Sequence, residues 1–284
     1  MIDPGRCRLL RHTPAPGRGY PGAWNMAVDE MLLERAQDRA IACLRFYGWS
    51  EPTLSLGYFQ AYADRKEHPA SLPCAAVRRL TGGGAILHDV ELTYSIVLPG
   101  THPLAARRDE LYKALHGSLI EALGRLGIAA RMCQPAGKIE TAREPFLCFQ
   151  RRSPGDVLIG ETKVCGSAQR RRNGAVLQHG SLLGATSPAA PELPGVADLA
   201  THPIELERTL KPEITGANFP EILLENIAEL WLSNLSRRLG FSWQSDDLDE
   251  KELRRAETLV ETRYSWDNWT QNRDRAAGHS QESL

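Results

Sequence analysis

The chain has 284 residues, a formal net charge of −1 and 42% hydrophobic residues. That length buries a sizeable core in one large domain or two small ones, and the charge balance, with a pI near 6.7, supplies no global field for nucleic acid. No run of about eighteen apolar residues occurs, which argues against a membrane span. The Pro/Gly-rich, charged N-terminus does not read as a secretory signal, so the cytoplasm is the expected compartment. Cysteines at 7, 43, 74, 133, 148 and 165 form no CxxC pair and fit free thiols in a reducing environment, with no metal-type spacing.

In chain order, Arg6–Arg11 reads as a short strand followed by a Pro/Gly loop, together covering 1–22. Asn25 is placed to cap a helix through MAVDEMLLERAQDRA, with Asp29 and Glu30 near its positive end. CLRFYGW and TLSLGYF read as strands joined by a turn at Glu51-Pro52, and AAVRRL as another. ELTYSIVL alternates Leu92, Tyr94, Ile96 and Leu98 with Thr93, Ser95 and Val97, a period-two strand. A helix is expected at about 107–126, ended by Gly127, then strands near Ile128–Met132, in a hairpin turning at Gly160-Glu161, and in AVLQHGSLL. After a Pro-rich connector (186–203), Pro220 opens a helix that Gly240 closes, and a last helix covers 249–263.

This order lacks a regular βαβ period and predicts an α+β fold, a mixed and mainly antiparallel sheet flanked by helices. One domain over 23–269 is expected, with a helical C-terminal part from 204 and a polar, disordered tail over 270–284.

Two segments carry chemistry. Arg78-Arg79-Leu80-Thr81-Gly82-Gly83-Gly84-Ala85-Ile86-Leu87-His88-Asp89 lies between strands. Its glycines allow backbone N–H groups to approach a ligand, and Arg79 is suited to a carboxylate or phosphate. It is neither a Walker A loop nor a GxGxxG fingerprint, and a flexible hairpin loop explains the glycines as well. His88-Asp89 also reads as a structural pair. The second segment sets Cys148, Lys163 and His179-Gly180 around Gly166-Ser167-Ala168, an inventory suited to thiolate acyl transfer with an acyl chain beside the lysine. A packed strand with an exposed lysine and a structural histidine is the plain alternative. Arg151-Arg152 and Arg170-Arg171-Arg172 form a basic rim that would steer an acidic protein. Nucleic acid is disfavoured because interleaved aromatic platforms are missing.

In order and spacing, NMAVDEMLLE, LRFYGWSEPTLSLGYFQ, RRLTGGGAILHD, ELTYSIVLP and GETKVCGSAQRRRNGAVLQHGSLL resemble the lipoate–biotin protein ligase superfamily. The resemblance covers about 24–183 and implies the catalytic-domain fold of biotin and lipoate protein ligases. It also implies that Arg79, Thr81, Gly82, Gly83, Gly84, His88, Gly166, Ser167, Ala168, His179 and Gly180 line a substrate site.

Two chemistries compete within that superfamily. The chain resembles most the cysteine-dependent octanoyltransferases, which take octanoate from acyl carrier protein as an enzyme thioester and pass it to a lysine of a lipoyl domain, such as that of a glycine-cleavage H protein. On that path Cys148 is the nucleophile, fifteen residues before Lys163, which stabilises thiolate and oxyanion with N–H groups near Gly166–Ala168. Lys163 or His179 takes the acceptor proton, and no metal, ATP or other cofactor is required. The near relatives, lipoate–protein ligases, would need ATP and Mg²⁺ to make lipoyl-adenylate, with Lys163 on the phosphate or carbonyl. Gly84, completing a GGG, leans toward that ligase. The helices expected after Leu183, in place of an evident accessory domain, lean away from it. A non-catalytic acyl- or carrier-binding protein is the third reading. Cys165, two residues after Lys163 and on the same face of a regular strand, is expected to be packing.

Overall fold

The computed structural model describes residues 5–12, 19–38, 41–135, 144–200 and 219–273. Strand β1 (Arg6–His12) is followed by helix α1 (Gly22–Asp38), then β2 (Ala42–Tyr47), β3 (Thr53–Leu56), β4 (Ala75–Arg78), β5 (Ile86–His88) and β6 (Glu91–Leu98). Helix α2 (Arg108–Arg125) leads to β7 (Ala130–Met132), β8 (Val157–Ile159), β9 (Thr162–Arg172) and β10 (Ala175–Leu183). The rest is helical apart from one strand: α3 (Val196–Leu199), α4 (Phe219–Leu239), β11 (Ser242–Ser245), α5 (Glu250–Leu259), a π-helical turn (Val260–Tyr264) and α6 (Asp267–Asn272).

An eight-stranded sheet runs β11-β1-β2-β6-β10-β9-β8-β7, and a three-stranded sheet runs β4-β3-β5. In the large sheet β11, β1 and β2 are parallel and the remaining pairs antiparallel, the mixed, mainly antiparallel α+β arrangement expected. The β9–β10 hairpin turns through Asn173 and Gly174, both at positive φ, as a two-residue turn between twisted strands demands.

The period-two pattern of β6 has a particular cause. All its residues are buried, because the sheet is covered on both faces. Leu92, Tyr94, Ile96 and Leu98 pack with α2 and α4, whereas Val97 joins α1, α5 and α6 on the other side. Burying a large aliphatic side chain is worth about 1.5–3 kcal/mol, so both layers hold the sheet.

Several expectations are corrected. Helix α1 starts at Gly22, and Asn25 sits inside it, donating to the Tyr20 and Gly48 carbonyls and accepting from Arg45, so it ties helix to sheet instead of capping. Asp29 and Glu30 therefore fall beyond the first turn and are buried ion-pair partners, of Arg45 and Arg263 respectively. TLSLGYF leaves the strand after Leu56, where Gly57 and Gln60 form a turn. Strands β5 and β11 are additions, the first too short for a period to show. The connector holds α3 and a Ser187–Ala190 bridge, while 201–218 lie outside the described residues. At the C-terminus α6 continues to Asn272, into the segment expected to be a disordered tail, and 274–284 lie outside the described residues. No helix among the described residues is long and apolar enough to cross a membrane.

Candidate active site

Cys148 opens a short 3-10 turn, Cys148–Gln150, held against the glycine loop. Its N–H donates to the Ala85 carbonyl at 2.7 Å, and Ala85 N–H donates to Phe146 at 3.0 Å. Phe146, Leu147 and Phe149 anchor the turn in a small core beneath the three-stranded sheet. Lys163 reaches across from β9: its Nζ is 3.6 Å from Cys148 Sγ, 3.3 Å from the Cys148 carbonyl and 2.9 Å from Asp156 Oδ2. Burial alone would lower the Lys163 ammonium, but the Cys148 thiolate and Asp156 carboxylate outweigh it and hold the amine above its ordinary value.

A β-bulge aims that lysine. Val157 pairs with Cys165 but Leu158 with Lys163, so alternation along β9 breaks there. Cys165 accordingly does not share a face with the Lys163 amine. It is fully buried in the core with Val157 and Val164, and burial drives its thiol upward. From Gly166 onward, β9 leaves the β8 ladder, which exposes its edge to the Cys148 turn. A Cβ on Gly166 would lie 2.6 Å from Lys163 Cε and 2.8 Å from its Nζ, so only glycine lets the amine lie there.

The glycine loop is shaped from within. Gly83 has φ +94°, and a Cβ on Gly84 would meet Cys148 N at 3.0 Å and the Arg151 guanidinium at 2.6 Å. Gly84 thus leaves room for the close approach of the cysteine turn. Arg79 is buried and donates to the carbonyls of Ser55, Gly82 and Gly84, at 2.8, 2.9 and 2.7 Å. It lines the cavity with both terminal nitrogens bonded to these carbonyls and its buried Nε without a hydrogen-bond partner, and burial lowers its guanidinium to about 10.

Both cavity histidines are engaged on both ring nitrogens. His179 Nδ1 donates to Asp29 Oδ2 (3.2 Å), and its Nε2 accepts from Thr81 Oγ1 (2.6 Å). Asp29 also accepts from Arg45, Tyr47 and Ser95. Burial would raise its carboxyl, but the His179 hydrogen bond and the Arg45 charge hold it below the ordinary value. His88 Nδ1 donates to Glu91 Oε1 (2.6 Å), its Nε2 accepts from Ser55 Oγ (2.7 Å), and its ring stacks on Trp49 at 3.9 Å. Its partner is therefore Glu91 and not Asp89, which accepts from Ser187.

A further buried cluster holds Ser167. The Gly155 carbonyl can only accept, so His116 donates to it through Nδ1 (2.5 Å) and its Nε2 accepts from Ser167 Oγ (2.6 Å). Tyr94 then donates to Ser167 Oγ (2.5 Å) and accepts from Gln178 (3.2 Å). Burial lowers the His116 imidazolium and keeps the ring neutral.

Met26, Tyr47, Ser55, Thr93 and Ser181 form the deeply buried part of one cavity, with about 500 Å³ of empty space open to solvent. Its more exposed lining is Gly82, Gly83, Cys148, Ser167 and Ala168, with His88, Phe149, Gly166, His179 and Gly180 between. The two motif segments therefore converge on one cavity. Thr81 touches it only through His179. Asp156, Asp29 and His116 were not singled out from sequence. An acid three residues after Met26 and four before Leu33, on the apolar side of a helix, was the readable signal for Asp29.

The arginine rim is largely neutralised. Arg151 pairs with Glu144, Arg152 with Glu161 (2.5 Å), and Arg172 reaches Glu30 and Glu34 (3.8 and 3.7 Å). Arg170 lies over the Tyr58 ring at 5.7 Å. The expected basic rim thus carries acidic partners at Arg151, Arg152 and Arg172.

Residues 21–193 match the model of the lipoyl protein ligase A/B catalytic domain. The chain is 32% identical to octanoyltransferase LipM of Geobacillus kaustophilus (strain HTA426) over 88% of its own length and 95% of that protein. It is 33% identical to octanoyltransferase LipM of Kyrpidia tusciae (strain DSM 2912 / NBRC 15312 / T2), covering 92% and 97%. Its fold matches the bipartite lipoate protein ligase of Thermoplasma acidophilum with a TM-score of 0.64, 24% identity, and coverage of 94% and 96%.

Proposed function

The chain belongs to the lipoyl protein ligase A/B catalytic-domain family, and from that membership and its site we propose that it is an octanoyltransferase acting through Cys148. The observation that carries this reading is the thiol–amine pair, Lys163 Nζ 3.6 Å from Cys148 Sγ in a cavity lined mainly by small and apolar groups. Relatives named octanoyltransferase, at 32% identity over most of both chains, support the same reading. The donor is octanoyl-acyl carrier protein and the acceptor a lysine of a lipoyl domain, such as that of a glycine-cleavage H protein. The domain over 23–269 contains every residue the reaction uses, and the compartment is the cytoplasm, where free thiols stay reduced.

The steps balance around one proton. The Cys148 thiolate attacks the carrier thioester carbonyl; its C–S bond forms, the pantetheine C–S bond breaks, and the departing thiolate takes a proton from the Lys163 ammonium. Acylation removes the thiolate charge, one of the two that had held that ammonium up, which eases the release of its proton. Lys163 is then the base for the second step. The acceptor amine attacks, C–N forms, C–S breaks, and the amine's proton returns to Lys163 beside the regenerated thiolate. Asp156 holds the amine in place throughout. N–H groups near Gly166–Ala168, where β9 has left the β8 ladder, are assigned to the developing oxyanion. With both ring nitrogens engaged, His179 shapes the acyl cavity along with His88 and Gly180, and the proton transfer falls to Lys163. The path consumes no ATP and needs no metal.

Transfer of octanoate from carrier protein to a lipoyl domain, measured with ATP removed by apyrase, tests this function. Product formation at an unchanged rate is expected. Product only with ATP and free lipoate would assign the ligase reaction instead.

A further inference from the structure

Phe59 is the most exposed large hydrophobic side chain among the described residues, at 75%. A single exposed apolar residue is ordinary on a protein surface. This one differs in how its backbone is held and where it stands.

The turn that presents it, 57–60, is fastened from every side. Gly57 N–H donates to Gln60 Oε1 (2.9 Å), Gln60 Nε2 to the Phe146 carbonyl (3.2 Å), and Tyr58 N–H to the Thr81 carbonyl (2.8 Å). Beneath it the fully buried Arg78 guanidinium donates to the carbonyls of Gly57, Tyr58 and Gln60, and to Thr270 of α6. A buried cation is thus spent on fixing four residues whose outermost side chain is an exposed aromatic ring. The same bonds tie the turn to the glycine loop through Thr81 and to the cysteine turn through Phe146.

The ring stands at the cavity mouth. It meets the Tyr58 ring edge-on at 4.9 Å and 84°, and a Cβ on Gly82 would lie 3.7 Å from Phe59 Cδ2. Gly82 lines the cavity, and Arg170 lies over the other aromatic of the pair. An exposed aromatic on a firmly held backbone turn, with a cation over its neighbouring ring, has the composition of an interface anchor whose backbone has little entropy left to lose.

We propose that Phe59, with Tyr58 and Arg170, is the docking contact for the lysine-bearing acceptor domain, with acidic side chains of that domain facing Arg170. Reach decides between the two protein substrates, given the function proposed above. The donor's acyl group arrives on a long, flexible pantetheine arm, so the donor's surface can stay away from the mouth. The acceptor must bring its amine to the Cys148 thioester on one lysine side chain, so its backbone has to press against the immediate rim, where Phe59 stands over Gly82.

The test is Phe59→Ser, with acylation and transfer measured separately. Acyl-enzyme formation from octanoyl-carrier protein, followed by intact mass, is expected to be unchanged, which also shows that the variant folds. Chase of the acyl-enzyme by a small amine is expected to be unchanged. Chase by a lipoyl domain is expected to show KM raised at least about tenfold with little change in kcat. An equal loss in the acylation step, or an unaltered KM for the lipoyl domain, overturns the proposal. Direct titration of the unacylated protein with the lipoyl domain, wild type against Phe59→Ser, needs no chemistry. A loss of affinity there upholds the contact even where no acyl-enzyme forms and the cysteine mechanism fails, and equal affinity refutes it.

Discussion

The Asp156 carboxylate sits 2.9 Å from the Lys163 ammonium, with both side chains buried beside the Cys148 turn. This contact fixes the amine in the one place from which it serves both the thiolate and the acyl-enzyme. Asp156 itself is fixed by accepting from Ser153 N–H at 2.7 Å. Asp156→Asn leaves a buried ammonium without its carboxylate, a change that typically costs about 3–5 kcal/mol. Stability is expected to fall by that order in urea titration. Single-turnover acylation is expected to slow by about a hundredfold, the penalty of a misplaced catalytic group. A variant that unfolds at the same urea concentration and acylates normally would remove Asp156 from the account.

Gly166→Ala tests the same amine by steric means. The new methyl would lie 2.6 Å from Lys163 Cε, so the side chain must leave its position. Transfer is expected to drop by about a hundredfold or more, while the far-ultraviolet spectrum stays native. Activity within a factor of about two of the unmodified protein would show that the lysine's placement is not critical.

The cysteines divide by environment. Cys165 is fully buried in the apolar core, where burial opposes its ionisation. Cys165→Ala is expected to leave the acyl adduct intact and cost about 1 kcal/mol of stability, the scale of a small core truncation. Loss of the adduct in that variant, measured by intact mass, would make Cys165 a participant.

Acid sensitivity is expected to arise from buried imidazoles. His12 accepts from Arg45 Nε at 3.0 Å, and burial together with the Arg45 charge lowers its imidazolium from 6.5 to about 4. His116 is lowered by burial as well. The unfolded chain therefore binds protons that the native protein refuses, and stability is complete above pH 6.5 and falls as pH drops toward about 4. Denaturant midpoints measured across that window should decline, and His12→Gln should flatten part of the decline. A midpoint independent of pH there would contradict this assignment.

What could be read from the residues beforehand was the local chemistry: the alternation of β6, the hairpin at Gly160-Glu161, and the glycines that permit close approach around Cys148 and Lys163. What could not be read was long-range pairing. Asp29 looked like an ordinary helix-start acid because its partners Arg45, Ser95 and His179 are brought to it only by the sheet. The bonds by which Arg79 folds back on the carbonyls of its own loop could not be read either, because nothing in its sequence neighbours shows them. The bulge that separates Lys163 from Cys165 is likewise invisible in a pattern of alternating side chains, since it depends on the register with β8. His116 gave little signal, being one polar residue on a leucine-rich helix whose Ser167 partner is supplied by another element.

The central claim is that Cys148 carries the acyl group, and intact-mass analysis after incubation with octanoyl-carrier protein in the absence of ATP tests it most directly. A single octanoyl adduct, mapped to Cys148, absent in Cys148→Ala and discharged by a lipoyl domain, is the predicted result. No adduct, with lipoate transfer that requires ATP and persists in Cys148→Ala, would contradict it.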